Sequence, residues 1–76
     1  MNIALIQPRV RVQVRCLAYP SHLLADPLYL ANRREGARGV TMCVVVDHPG
    51  AWWVRQDDGS EAPYWFHELE ADTGSG

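Results

Sequence analysis

The residues best suited to chemistry are three histidines, His22, His48 and His67. None has the His-x-x-x-His or His–Cys spacing that a zinc site uses. His67 is followed by Glu68 and Glu70, and such a group can in principle transfer protons. A catalytic site also needs a nucleophile or a group that orients the base, and no such residue stands near His67 in the sequence. The sequence therefore predicts no catalytic residue, no metal ligand and no cofactor, and we expect the protein not to be an enzyme.

Cys16 and Cys43 each lie within an apolar run and lack the Cys-x-x-Cys spacing of metal and redox sites. Free cysteines are among the most buried residue types. The sequence therefore predicts two buried free thiols and no disulfide.

Seven arginines supply all of the basic side chains, and six of them precede residue 40. Together with exposed aromatic rings for base stacking, they make nucleic-acid binding an alternative function. Seven acidic residues follow residue 40, and their field opposes phosphate binding. The arginines that would serve this alternative are Arg9, Arg11, Arg15, Arg33, Arg34 and Arg38.

The elements that position these residues are mostly strands. From Val10 to Ala18, apolar residues alternate with polar ones, as in a half-buried strand. The next segment, from Tyr19 to Arg38, lacks this alternation. In it, Asp26-Pro27 is suited to begin a short helix that ends near Gly36, with an irregular loop as the alternative.

Three further strands are predicted at 40–46, 51–56 and 60–66. Pro49-Gly50 favours a type II turn before the second of them, and Asp58-Gly59 favours a tight hairpin turn after it. A single 3₁₀ turn and a short closing strand are predicted over 67–70. The domain is expected to span residues 1–71, with a disordered tail over 72–76.

Adjacent side chains of a strand point to opposite faces, so Trp52 and Trp53 cannot both lie in the core. If Asp58-Gly59 forms a two-residue turn, Trp53 pairs with Tyr64 and Trp52 pairs with Trp65. Trp52 then shares its face with apolar residues that suit a core, whereas Trp53 lies on a mixed aromatic and charged face. That second face is predicted to bind a partner through Trp53, Arg55, Tyr64 and Phe66.

The strand over 40–46 is apolar on both faces, which is more apolar surface than one small barrel buries. A protein partner or a second copy of the chain is expected to cover the excess. The alternative is that the loop leucines cover it as a lid. These leucines are Leu23, Leu24, Leu28 and Leu30.

The segment WWVRQDDGSEAPYWFHELE resembles the third and fourth strands of Src-homology-3 domains, with a Trp-Trp pair, a glycine turn and a 3₁₀ turn. This resemblance implies a five-stranded Src-homology-3-like barrel with a long loop between strands 1 and 2. It also implies that Trp52, Tyr64 and Phe66 line a ligand groove. The resemblance is closer to the broader bacterial and phage-borne barrels of this shape, which act as accessory subunits, inhibitors or nucleic-acid binders.

A second resemblance concerns one enzyme built on this scaffold, the short plasmid-borne dihydrofolate reductase. Its pore strand is similar in position to residues 61–64, and its Leu-Glu pair is similar to Leu69-Glu70. Tyr64 matches, but the glutamine and isoleucine that hold the substrates do not. The resemblance implies an oligomeric enzyme as a further alternative.

The broad class predicted from the sequence is thus a small binding module that is not an enzyme. The chain has no apolar run of about 20 residues, the length that spans a bilayer, and its first residues do not form a signal peptide. We therefore expect a cytoplasmic protein with no membrane partner. No small-molecule substrate is indicated.

Overall fold

The computed structural model of this chain describes residues 6–17 and 26–72. His22, Leu23, Leu24 and the tail residues 73–76 lie outside the described residues. A single helical turn, α1 (Pro27–Leu30), precedes most of the sheet, and a 3₁₀ turn (Phe66–Glu68) precedes its last strand. The strands are β1 (Arg11–Val14), β2 (Arg38–Val44), β3 (Ala51–Gln56), β4 (Glu61–Trp65) and β5 (Leu69–Ala71).

The five strands form one antiparallel sheet in the order β4-β3-β2-β1-β5. The predicted mostly β fold and the number of strands are confirmed. Within the described residues no pairing joins β4 to β5, so the sheet is open rather than closed. Among these residues, no helix has the length and apolar character needed to cross a membrane.

β1 shows the predicted alternation over a shorter range than expected. Val12 and Val14 are buried, whereas Arg11 is exposed. β1 ends at Val14, although the next residue, Arg15, still donates its N–H to the Glu68 carbonyl at 2.8 Å. The alternation therefore located the buried face correctly.

The inner face of the sheet, defined as the face that carries Val12 and Val14, holds the main core. Full burial of each large apolar side chain contributes about 1.5–3 kcal/mol. Tyr64 is the largest side chain in this group and is completely buried. The core residues are Val12, Val14, Val54, Ala62, Tyr64 and Leu69.

The turn between β3 and β4 contains three residues rather than the predicted two. The Gln56 N–H donates to the Ser60 carbonyl, which leaves residues 57–59 as the loop. Only Gly59 in this loop has a positive φ, of 91°, whereas a two-residue type I′ turn needs two such residues. The pairing is therefore shifted by one residue: Trp52 pairs with Tyr64 and Trp53 pairs with Pro63.

The connection between β2 and β3 contains the predicted Pro49-Gly50 turn. The Ala51 N–H donates to the His48 carbonyl at 3.0 Å, and Gly50 has a φ of 102°, as a type II turn requires. A second turn precedes it, in which the His48 N–H donates to the Val45 carbonyl. β2 consequently ends at Val44, and its register with β3 shifts between Thr41 and Val44.

α1 begins at Pro27, as predicted, but it ends at Leu30 rather than near Gly36. Asp26 has extended backbone angles at the N-cap position and its side chain makes no capping hydrogen bond. Leu30 packs with Val45 and Ala51 in a small second core. Leu28 is 83% exposed, so it does not act as a lid.

The segment that follows α1 runs along β4, the outer edge of the sheet. The Asn32 side-chain amide donates to the Glu61 carbonyl at 3.0 Å. Pro63 has no N–H, and the Trp65 N–H donates to a Glu68 carboxylate oxygen at 3.0 Å. Side-chain hydrogen bonds and a proline thus take up the backbone positions along β4 at which another strand could pair.

The opposite edge is the short strand β5. Asp72, which the sequence placed in a disordered tail, donates its N–H to the Arg11 carbonyl at 3.2 Å. Its carboxylate also pairs with the Arg11 guanidinium at 3.2 Å. Two contacts with β1 therefore hold this residue.

Candidate interaction surface on the outer face of the sheet

The outer face of the sheet, opposite the main core, carries the residues that alternate with the core residues. Arg55 of β3 pairs with Val40 of β2 on one side and with Glu61 of β4 on the other. Val40 in turn pairs with Arg11 of β1. Cross-strand partners project to the same face, so charged and apolar side chains lie in one row here.

An aromatic recess opens on this face beside Trp53. The rings of Trp53 and Tyr29 meet edge to face, with 5.1 Å between their centroids and an angle of 80° between their planes. Trp53 is partly buried and Tyr29 is 42% exposed. The recess has a volume of about 260 Å³ and is lined by Tyr29, Met42, Cys43, Trp53 and Glu61.

A second, basic recess adjoins the first along β2. Met42 lines both recesses. Two arginines give this recess its charge, and Arg9 and Arg55 are both exposed. Its volume is about 480 Å³, and its lining residues are Pro8, Arg9, Val40, Thr41, Met42 and Arg55.

One ion pair lies between the two recesses. The Arg55 guanidinium is 3.1 Å from a Glu61 carboxylate oxygen, and the Arg55 side chain is 59% exposed. Ion pairs as exposed as this contribute only about 0–1 kcal/mol to stability. Arg55 can therefore reorient toward another anion at little cost.

The structure separates the five residues predicted to bind a partner. Trp52 is buried on the inner face and Trp53 is partly exposed on the outer face, as their alternation predicted. Tyr64 was predicted beside Trp53 and is instead in the main core, because of the one-residue shift in pairing. Phe66 lies in the 3₁₀ turn, and the centroid of its ring is 3.6 Å from the centroid of the His67 ring. Trp53 and Arg55 are thus the two predicted residues that share the outer face.

Tyr64 is the centre of a buried polar network. Its hydroxyl donates to the Gln56 amide oxygen at 2.5 Å and accepts from the Arg34 N–H at 2.9 Å. Burial raises the pKa of this phenol, so it remains a neutral donor at physiological pH. Both resemblances in the sequence placed Tyr64 on a ligand-binding wall, whereas here it joins the long loop to the sheet.

A buried ion pair stands next to this network. The Arg33 guanidinium pairs with the Glu68 carboxylate, and both side chains are nearly inaccessible. Arg33 also lies over the Tyr64 ring, at 5.3 Å from its centroid. Glu68 accepts the Trp65 N–H as well, so it closes the start of the 3₁₀ turn. Arg33 is therefore not available to a nucleic acid.

Two other arginines of the nucleic-acid alternative are paired with acidic residues on the surface. Arg11 forms two hydrogen bonds with Asp57, and this contact lowers the pKa of the Asp57 carboxyl. Arg34 pairs with Asp58. Hydrogen bonds from Ser60, together with Arg34, lower the pKa of Asp58 to about 2. Three arginines outside these pairs, Arg9, Arg15 and Arg38, are exposed.

Sequence reasoning missed Tyr29 and Glu61 as members of this surface. The signal for Glu61 was its position opposite Arg55, which a three-residue turn would have revealed. Tyr29 is 24 positions from Trp53, and no sequence period connects a loop residue to a strand at that distance. Tyr29 contributes to the surface only because the long loop folds back onto Trp53.

The cysteine prediction is wrong on burial. Cys43 is exposed in the aromatic recess and Cys16 is partly exposed, and both are free thiols. The register shift in β2 lies at this point, so Cys43 does not follow the regular alternation. Across residues 6–17 and 26–72, no three His, Cys, Asp or Glu side chains are grouped so as to hold a metal ion.

Comparisons of the chain with protein-family models, with curated proteins and with solved structures found no match.

Proposed function

We propose that this protein is a small binding module whose outer face docks onto a protein partner. The observation that carries the proposal is the aromatic recess, where Trp53 and Tyr29 form two perpendicular walls that are open to solvent. Tryptophan and tyrosine are enriched among the residues that dominate binding energy in protein interfaces. They bury a large area at a small cost in conformational entropy.

We further propose that the fold is of the Src-homology-3-like kind. Three features support this: a long loop after the first strand, the hairpin of β3 and β4 that begins with a Trp-Trp pair, and a 3₁₀ turn before the last strand. This fold supports many functions, so it does not identify the partner.

Nucleic-acid binding is the rival function. Arg9, Arg15 and Arg38 are exposed and would be its main contacts. The ion pairs of Arg11, Arg33 and Arg34 weaken it, because those cations already face carboxylates. A mobility-shift assay at low salt with single- and double-stranded probes tests this rival, and retardation that declines steeply with salt would favour it.

The main test is affinity capture followed by binding measurements with the purified partner. We expect Trp53→Ala to weaken binding at least 10-fold, because it removes a wall of the recess. The matched control is Leu17→Ala, since Leu17 is 42% exposed and lines neither recess. Light scattering of the isolated protein detects a second copy as the occupant. Equal binding by the wild type and Trp53→Ala would overturn the proposal.

A further inference from the structure

The two recesses form one continuous surface with different chemistry at its two ends. They share Met42, and the Arg55–Glu61 pair lies between them. One end is aromatic and apolar, and the other end carries two exposed guanidinium groups. A ligand that covers both ends must therefore have an apolar part and an anionic part.

The spacing of these ends matches an extended polypeptide. Trp53 and Arg55 are two positions apart in β3 and lie on the same face. Two residues of a strand span about 6.4–6.8 Å, and an extended partner segment advances by the same amount. Side chains two positions apart in that segment also lie on one side, so both can reach this surface.

The basic end is held in place by the backbone. Arg9 has a φ of 65°, which is uncommon for a residue other than glycine. The Arg9 N–H donates to the Thr41 carbonyl at 2.7 Å, and the Val10 N–H donates to the Thr41 hydroxyl at 2.9 Å. Residues in such sparsely populated conformations tend to occur where function requires a fixed geometry. Among the described residues, Arg9 forms no ion pair, so its charge is open to a ligand.

We infer that the partner presents an extended segment in which an apolar or aromatic side chain and a carboxylate lie two residues apart. The apolar side chain occupies the recess beside Trp53, and the carboxylate binds between Arg9 and Arg55. The inference rests on the proposed function, since it names the chemistry that the outer face recognises.

A carboxylate suits this surface better than a nucleic-acid backbone does. Glu61 lines the aromatic recess and lies beside Arg55. A strand of phosphates would carry successive negative charges past Glu61, and that repulsion offsets the attraction of the two arginines. A single carboxylate followed by an apolar side chain avoids the repulsion.

The test is selection of peptides displayed on phage against the intact protein. From a random heptapeptide library, we expect enrichment of peptides with an acidic residue two positions from an apolar or aromatic residue. An enriched peptide, synthesised and measured by isothermal titration calorimetry, should bind Arg9→Glu/Arg55→Glu at least 10-fold more weakly than the wild type. Leu17→Ala should bind it like the wild type.

A milder double variant, Arg9→Gln/Arg55→Gln, removes the positive charge without reversing it and should give a smaller loss in the same direction. Thermal melts of each variant establish that it is folded. Selected peptides without an acidic preference, an unchanged affinity in both double variants, or no enrichment would overturn the inference. If Trp53→Ala still abolishes capture of the protein partner in any of those cases, the proposed function stands. Only the inferred requirement for a carboxylate in the partner is then contradicted.

Discussion

The inner and outer faces of the β3–β4 hairpin use neighbouring residues for opposite purposes. On the inner face, Tyr64 and the Arg33–Glu68 pair are buried. The Tyr64 hydroxyl and the Glu68 carboxylate are hydrogen-bonded to backbone and side chains, whereas the buried Arg33 Nε has no hydrogen-bond partner among the described residues. On the outer face, Trp53 and Arg55 are only partly covered, and the ion pair there is open to solvent.

The two faces differ in how their polar groups are satisfied. Removing a charge from water is unfavourable unless the charge is paired and hydrogen-bonded, and the inner network meets that condition around Glu68. The outer face leaves Arg9 and Arg55 accessible beside apolar walls. One face therefore holds the loop to the sheet, and the other has the composition of a binding surface.

The largest effect that separates the two faces should come from the adjacent tryptophans. Trp52→Ala removes a buried ring and should lower the free energy of unfolding by about 3–5 kcal/mol. A core in a chain this small supplies about that much net stability, so the variant should be unfolded. Trp53→Ala should cost about 1–2 kcal/mol and leave a folded protein that has lost partner binding. Thermal and urea melts followed by circular dichroism measure both values. Greater loss of stability for Trp53→Ala would show that the assignment of faces is wrong.

The second comparison sets the buried ion pair against the exposed one. Glu68→Gln keeps an acceptor for the Trp65 N–H but leaves the Arg33 charge buried without its counter-ion, and should destabilise the protein by about 3–5 kcal/mol. Glu61→Gln removes the corresponding charge on the outer face and should cost less than about 1 kcal/mol. Urea unfolding at neutral pH gives both numbers.

A double variant checks the cause of the Glu68 effect. Arg33→Met/Glu68→Leu removes both charges and should recover much of the stability lost in Glu68→Gln, because no unpaired charge remains in the interior. If the double variant is as unstable as the single one, shape and hydrogen bonding at this site matter more than charge.

The smallest effect should appear in acid, at the turn between β3 and β4. The pKa of Asp58 in the folded protein is about 2, below its ordinary value of 3.8, because Ser60 and Arg34 stabilise the carboxylate. The contribution of this carboxylate to stability is therefore complete above about pH 4 and is lost as the pH falls toward 2. Asp58→Asn cannot titrate, so its melting temperature should fall less than that of the wild type between pH 4 and pH 2. Identical pH profiles would contradict this role for Asp58.

The sequence predicted the buried side of β1 and β3, but not the buried side of β4, which depends on the pairing between strands. Alternation is local, and it assigned Val12, Val14, Trp52 and Trp53 correctly. Pairing depends on a single turn residue, and one extra residue before Gly59 moved Tyr64 from the predicted outer face to the core.

The Arg33–Glu68 pair could not be predicted at all. The two residues are separated by 35 positions, and each looks like an ordinary surface charge in its local sequence. Their meeting depends on the path of the long loop along β4. The aromatic recess has the same origin, since Tyr29 reaches Trp53 only through that loop.

The occupied edge at β4 has a consequence for solubility at high concentration. An open sheet exposes backbone donors and acceptors on which further copies can pair to build fibrils. Along β4, Asn32 covers the Glu61 carbonyl, Pro63 offers no donor, and Glu68 holds the Trp65 N–H. Polymerisation by strand addition is thereby obstructed at this edge of the sheet.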